Sequence, residues 1–220
     1  MIFIENKKRK LEKIMAQYPG ADIIDITSNS DSAYAKLLSP FYPHGNIPVP
    51  FSESTFAMSV EGIWQGLKVF ESCDIDTSAF QNATMKGLKR TVRRFGNTMG
   101  HRKGVNGTKL LNYFDARMLI YLPSYKWVLD NVPKVRALVE RIAERAKNHD
   151  IVFLDYNTND DFRDLSSPMS HAGLLKLYID GKYPEYREDI LPLSIEEIKT
   201  RIKKKKLKKP NNNKKQETLF

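Results

Sequence analysis

PKVRALVERIAERAKNHDIVFLDY, residues Pro133–Tyr156, decides the fold. Val135, Leu138, Val139, Ile142 and Ala146 recur at spacings of three and four, with charged residues between them. That period predicts an amphipathic helix over Pro133–Asn148. IVFLDY (Ile151–Tyr156) is too short and too continuously apolar for a second helix and reads as a buried strand. Upstream, Met1–Glu5 reads as an edge strand, 7–17 as an exposed helix ended by Pro19-Gly20, and Ala21–Thr27 as another strand. A turn at Asn29–Asp31 and a helical turn at Ala33–Leu38 lead into the proline-stiffened loop Ser39–Phe51. Helices are expected over Met58–Glu71 (N-cap Ser59), from Asp76 or Ser78 to Arg94, over Thr108–Leu122 with a continuation from Pro123 to Asn131, over Ser170–Asp180 and over Ser194–Lys206. About seven helices against two or three strands predict an α+β fold: one mainly helical domain with a small sheet over residues 1–200, then a disordered basic tail over 201–220.

Charge is distributed unevenly. The 220 residues carry 36 Lys and Arg against 26 Asp and Glu, a net of +10. Residues 201–220 hold nine bases and one acid, and Lys86–Lys109 holds eight bases and no acid. What remains is mildly acidic. Such concentration points to a polyanionic partner, nucleic acid or a nucleotide phosphate. Hydrophobic residues make up 41%, enough for a core. A single cysteine, Cys73, argues against a disulfide scaffold. The opening MIFIENKKRK meets charge after four residues, and Leu110–Leu129 is interrupted by Asp115, Arg117 and Lys126. Neither a secretory leader nor a membrane partner is expected, and a cytoplasmic location is.

On a helix over Met58–Glu71, Glu61, Gln65 and Lys68 share one face, opposite Val60, Ile63, Leu67 and Phe70, with Trp64 at the border. A carboxylate beside a lysine transfers protons when burial tunes it, and a desolvated amine attacks a carbonyl or masked aldehyde carbon. The same spacing also suits a solvated ion pair.

LSPFYP (Leu38–Pro43) followed by SVEGIWQGLKVF (Ser59–Phe70) resembles the NADAR (YbiA-like) N-glycosidase family, whose signature is Leu-Ser-x-Phe-Tyr-Pro and then Val-Glu-x-x-x-Gln-x-x-Lys. MKGLKRTVRRFG (Met85–Gly96) is similar to the family's basic helix, and IVFLDYNTNDD (Ile151–Asp161) stands where it has a strand delivering an acid to the pocket. The resemblance implies hydrolysis of a bond between a ribose C1′ and a base nitrogen, as in removal of ADP-ribose from a base in nucleic acid. Glu61 and Lys68 match the family's catalytic acid and lysine, and Asp155 or Asp160 its later acid. There are departures. Gly62 stands where the family often has histidine, and NTNDDFRDLSSPMSHA replaces its Trp-Gly-x-Gly. A non-catalytic nucleic-acid-binding accessory is therefore the alternative.

Lys86, Lys89, Arg90, Arg93 and Arg94 at spacings of three and four predict a basic helix face, and Arg102 lies in the glycine-rich loop beyond it. These are the candidate nucleic-acid and phosphate contacts. Tyr42 and Trp64 are candidates to stack on a base, and Gln65, Arg90, His101, Asn159, Asp160 and His171 to hold the ligand. Core packing or capping is the simpler explanation of each histidine taken singly, and core packing explains the aromatics as well as stacking does. Neither His101 nor His171 has metal-ligand company at helical spacing, so no metal and no cofactor are expected. The chain closes on QETLF, where Gln216, Leu219 and Phe220 resemble a sliding-clamp-binding peptide on a basic tether.

Overall fold

Ile151–Asp155 is the middle strand of a three-stranded parallel sheet, between Ile2–Asn6 and Asp22–Asp25. The computed structural model describes residues 1–207. In chain order the elements are β1 (Ile2–Asn6), α1 (Leu11–Gln17), β2 (Asp22–Asp25), α2 (Ala33–Lys36), β3 (Ile47–Pro48), β4 (Phe56–Ala57), α3 (Val60–Gly66) and β5 (Lys68–Phe70). A 3-10 turn (Thr77–Gln81), α4 (Val92–Phe95), β6 (Thr98–Arg102), β7 (Leu110–Leu111), α5 (Tyr113–Ala116), a π-helical turn (Arg117–Tyr121) and α6 (Leu122–Asn131) follow. The last are α7 (Pro133–Asn148), β8 (Ile151–Asp155), α8 (His171–Ile179) and α9 (Ile195–Leu207). The fold is α+β in one domain.

β8 pairs with both neighbours in parallel, Ile2 and Asp22 each opposite Ile151. Alternation divides its side chains between two faces. Val152 and Leu154 pack with Ile14 of α1 in a small core, while Ile151 and Phe153 join the main core with Val135, Val139 and Ile142 of α7 and Leu174 and Leu175 of α8. A strand covered on both faces must be apolar throughout, which is why IVFL was legible as buried. Asp155 follows on the main-core side, at the carboxyl end of the sheet. Crevices outside the carboxyl ends of parallel strands are where such sheets place ligands. β5, β6 and β7 form a second, antiparallel sheet, and β3–β4 a short hairpin.

Several boundaries differ from expectation, and the eight strands among the described residues exceed the two or three expected. The helix predicted over Met58–Glu71 stops at Gly66. The Gly66 and Leu67 carbonyls accept from Asp76 N (2.8 Å) and Arg102 N (2.8 Å), and Lys68–Phe70 enters the second sheet opposite His101, Gly100 and Thr98. Lys68 is thus the first residue of a strand. The helix predicted up to Arg94 is only a 3-10 turn and the single turn α4. Between them Asn82 and Thr84 bond the local backbone, Met85 and Gly87 take left-handed φ of 59° and 69°, and Leu88 and Arg90 are buried. The five bases therefore do not share a helix face. The helix expected from Thr108 begins at Tyr113, because Leu110–Leu111 pairs with β6 and Asn112 caps the new helix, accepting from Asp115 N at 2.9 Å. From there it runs without a break to Asn131. Its π turn ends two residues before Pro123, whose ring cannot sit against the carbonyl four residues back in a regular α-helix.

Candidate active site

Ser59 caps α3 by accepting from Gly62 N at 3.0 Å, and the helix buries Val60, Ile63 and Leu67. Glu61 and Gln65, one turn apart, are buried on the side facing β8, at 7% and 5% exposure. Gln65 Nε2 donates to Glu61 Oε1 at 2.8 Å, and Gln65 Oε1 accepts from Lys68 Nζ at 3.4 Å and from the Arg90 backbone N–H at 3.1 Å. The Arg90 contact fixes which end of the amide is oxygen. Glu61, Gln65 and Lys68 so form one chain of hydrogen bonds, although Lys68 reaches it from a strand rather than a third helical turn.

These groups open on a cavity of about 490 Å³ that Asp155 and His171 line from the other side. Asp155 Oδ1 accepts from Tyr156 N at 2.7 Å. Its Oδ2 accepts from Ser170 Oγ at 2.6 Å and Ala172 N at 3.4 Å, and lies 3.1 Å from His171 Nδ1. His171 Nε2 is 2.9 Å from the Ile26 carbonyl oxygen. Both imidazole nitrogens therefore face oxygen atoms, which fixes the ring between Asp155 and the Ile26 carbonyl. Trp64 forms a wall, with Lys68 Nζ 5.7 Å from its ring centre. Tyr121 stands edge-on to Trp64 at 5.5 Å.

Burial sets the electrostatics. Desolvation raises the Glu61 carboxyl above its usual range, and the Gln65 hydrogen bond and the Lys68 charge only partly offset this. Desolvation also lowers the Lys68 ammonium below its ordinary value, with Glu61 opposing and Arg90 assisting. The result is a carboxylic acid able to give a proton beside an amine more readily freed of one. His101 faces Lys68 across the β5–β6 pair and stacks on Trp64 at 3.8 Å. Burial first, and the Lys68 charge second, hold it down at about 3, so it is a neutral ring supporting Trp64.

The cavity brings together Glu61, Trp64, Gln65, Lys68, Lys89, Asp155 and His171. Other sequence candidates lie elsewhere. Tyr42 leans on His44 at 4.8 Å, while its neighbour Phe41 lines the cavity. His101 sits behind Trp64. Arg90 is 8% exposed and turned inward, donating to the carbonyls of Gln65 (3.0 Å), Lys68 (2.6 Å) and Asp74 (2.6 Å) and to Cys73 Sγ (3.0 Å). Asn159 is buried and donates to the Asp164 and Ser167 carbonyls at 2.9 and 3.1 Å, and Asp160 pairs with Arg201 at 2.8 Å. Arg102 is occupied by Asp74 at 2.5 Å. Lys86, Lys89, Arg93 and Arg94 are exposed and make no ion pair among the described residues. Gln216, Leu219 and Phe220 lie outside the described residues, as does most of the tail.

Sequence reasoning missed Arg117 and Tyr121, the two ends of the π turn, and Thr27 and Ser28 beyond β2, all of which line the cavity. Arg117 is 2% exposed and donates to the carbonyls of Phe162 (2.9 Å), Asp164 (2.9 Å) and Ser167 (3.1 Å), pinning the loop that carries Asn157, Pro168 and Met169 to the cavity. A lone arginine in the apolar run Leu110–Leu129 was the signal for it. A second cleft of about 460 Å³ opens beside Tyr113, but its titratable side chains Asp115, Arg187 and Glu188 are partly or fully exposed. Among the described residues no group of three or more His, Cys, Asp or Glu is placed to hold a metal ion. No helix among them is long and apolar enough to cross a membrane.

The sequence profile of a family of unknown function, DUF6939, matches residues 6–175. The chain belongs to that family. The matched span covers every cavity side chain from Thr27 to His171 and stops before α9. No curated protein matches the chain.

Proposed function

We propose that this DUF6939 protein is an N-glycosidase of NADAR (YbiA-like) type that hydrolyses a ribose C1′–N bond, removing ADP-ribose or a related group from a base in nucleic acid. The observation that carries this reading is the pairing, in one cavity, of an acid raised by burial (Glu61) with an amine lowered by burial (Lys68), opposite an ordered carboxylate (Asp155). In this chemistry the free Lys68 amine attacks C1′ while Glu61 gives its proton to the departing base nitrogen, so the C1′–N bond breaks with charge balanced. The Glu61 carboxylate then takes a proton from the new Lys68–C1′ adduct. Glu61 returns that proton to the ring oxygen as the sugar ring opens to a protonated Schiff base. Water adds to C1′, giving a proton to the Glu61 carboxylate, and collapse of the adduct releases the sugar and restores the amine and the protonated acid. Asp155, held by Ser170 and His171, orients the ribose. Gly62, where the resembled family often has histidine, has no room for a side chain: a Cβ would lie 2.7 Å from the Ala79 carbonyl oxygen. In this chain His171 brings an imidazole to the cavity from α8 instead.

A non-catalytic nucleic-acid-binding role is the second reading. It is favoured by the exposed Lys86, Lys89, Arg93 and Arg94, which have no ion-pair partner among the described residues, Lys89 at the cavity itself. Clamp binding through Gln216, Leu219 and Phe220 would suit either role. The deciding experiment is incubation with an ADP-ribosylated DNA oligonucleotide. Wild type is expected to release ADP-ribose, and Lys68→Ala and Glu61→Ala to slow release by about 10²–10⁴-fold. Release by Lys68→Ala at the wild-type rate, or no release by wild type from this and other N-glycosides, overturns the enzymatic reading.

A further inference from the structure

Tyr121, Tyr125 and Tyr183 are three tyrosines around α6 whose hydroxyls burial keeps protonated. Two of the hydroxyls have partners. Tyr125 donates to the Leu38 carbonyl at 2.7 Å and Tyr183 to the Leu122 carbonyl at 2.8 Å. Tyr121 has no hydrogen-bond partner among the described residues, and its side chain lines the cavity. It is held there by the fold. It ends the π turn, whose first residue, Arg117, lines the same cavity, and π turns of this kind recur at functional sites. Its ring stands at 74° to Trp64. After burial, the negative charges of Glu61 and Asp155 are among the influences that keep its proton on, so both carboxylates act on the phenol.

A donor without an acceptor, in a cavity that also presents carboxylate oxygen, defines a ligand chemistry. Asp155 Oδ1 accepts only from Tyr156 N among the described residues and keeps a free lone pair. A carbonyl or ring nitrogen of a base could answer the phenol, but the base would need a second group, an N–H, to answer the carboxylate. A sugar hydroxyl answers both, accepting from one and donating to the other. We infer that Tyr121 is a specificity-determining residue that donates its hydroxyl hydrogen to a hydroxyl of the scissile ribose, the terminal sugar that ADP lacks, in partnership with Asp155. This assignment rests on the proposed N-glycosidase reading and adds the group that selects a sugar.

The test is binding of ADP-ribose and of ADP, followed by tryptophan fluorescence, to wild type, Tyr121→Phe and Tyr125→Phe. Tyr121→Phe is expected to weaken ADP-ribose binding by about 10–100-fold, to leave ADP binding unchanged and to keep the wild-type melting temperature, because no internal hydrogen bond is lost. Tyr125→Phe, which does lose one, is expected to melt about 2–4 °C lower. If Tyr121→Phe binds ADP-ribose as wild type does, the assignment falls while the glycosidase reading stands. Equal weakening for ADP and ADP-ribose places Tyr121 on the nucleotide and also overturns it. Failure of wild type to bind ADP-ribose overturns both the assignment and the reading beneath it.

Discussion

Replacing Arg90 by alanine should damage the fold and leave polyanion binding intact in whatever protein remains folded. The guanidinium donates to the carbonyls of Gln65, Lys68 and Asp74 and to Cys73 Sγ, so it ties the end of α3 to β5 and the turn after it. It also lies 5.1 Å from the Phe70 ring and 5.3 Å from the Phe95 ring. Alanine strands three buried or half-buried carbonyls, at about 1 kcal/mol each, and removes two cation–π contacts worth roughly 0.5–1 kcal/mol apiece. The sum is about 4 kcal/mol. For a chain of this size that lowers the melting temperature by about 8–16 °C. Arg90→Lys should not rescue, because one ammonium cannot span four acceptors on two sides. The assay is thermal unfolding by circular dichroism, paired with DNA binding at several salt concentrations. If Arg90→Ala melts within about 2 °C of wild type and flattens the salt dependence, the inward reading of Arg90 is refuted and the residue belongs to the nucleic-acid surface.

Two further outcomes follow from the same site and its rim. Because burial raises Glu61 in the folded state, its contribution to stability is fully present below the unfolded value near 4.5 and is lost as pH rises through the folded one. Melting of Glu61→Gln against wild type between pH 4 and 7 should therefore show a difference that grows in the variant's favour, whatever the constant offset from Lys68. A difference independent of pH would show that Glu61 is not desolvated. Changing Lys86, Lys89, Arg93 and Arg94 together to alanine should reduce the salt slope of DNA binding by about 3–4 while sparing the melting temperature, since none is buried. A slope equal to that of wild type would remove the basic strip from the binding surface.

The parts of this fold that were legible are those whose neighbours are implied by their own period. Pro133–Asn148 shows its buried stripe, Ile151–Leu154 is apolar because both its faces are covered, and Ser59 and Ser170 announce the helices they cap. The rest depended on distant partners. Nothing local says that Val69 and Phe70 will pair with β6, so helical spacing carried Lys68 to the right neighbours by the wrong backbone. Arg90 has the same spacing to Lys86 and Arg94 as a solvated helix face would give, and only the carbonyls of α3 and β5 reveal it as buried. Gly66 illustrates the point from the other side. A Cβ there would fall 2.3 Å from the Phe80 ring, a constraint set by a residue fourteen positions away. Tyr121 was invisible for a related reason. It sits in an apolar run where a tyrosine is unremarked, and what distinguishes it from Tyr125 is the π turn and a hydroxyl with no hydrogen bond among the described residues.

The parallel sheet has a consequence for how the molecule is made. Among the described residues β1 pairs with β8 alone, Ile2 beside Ile151, about 150 positions further along the chain. At about 5–20 residues per second a ribosome needs roughly 8–30 s between the two. Through that interval β1 and β2 have no middle strand between them, each with an open edge that can pair elsewhere. The carboxylate that completes the cavity, Asp155, arrives on the very strand that closes this gap. Assembly of the site and protection of the nascent sheet are thus one late event, and a nascent chain paused before Ile151 has neither.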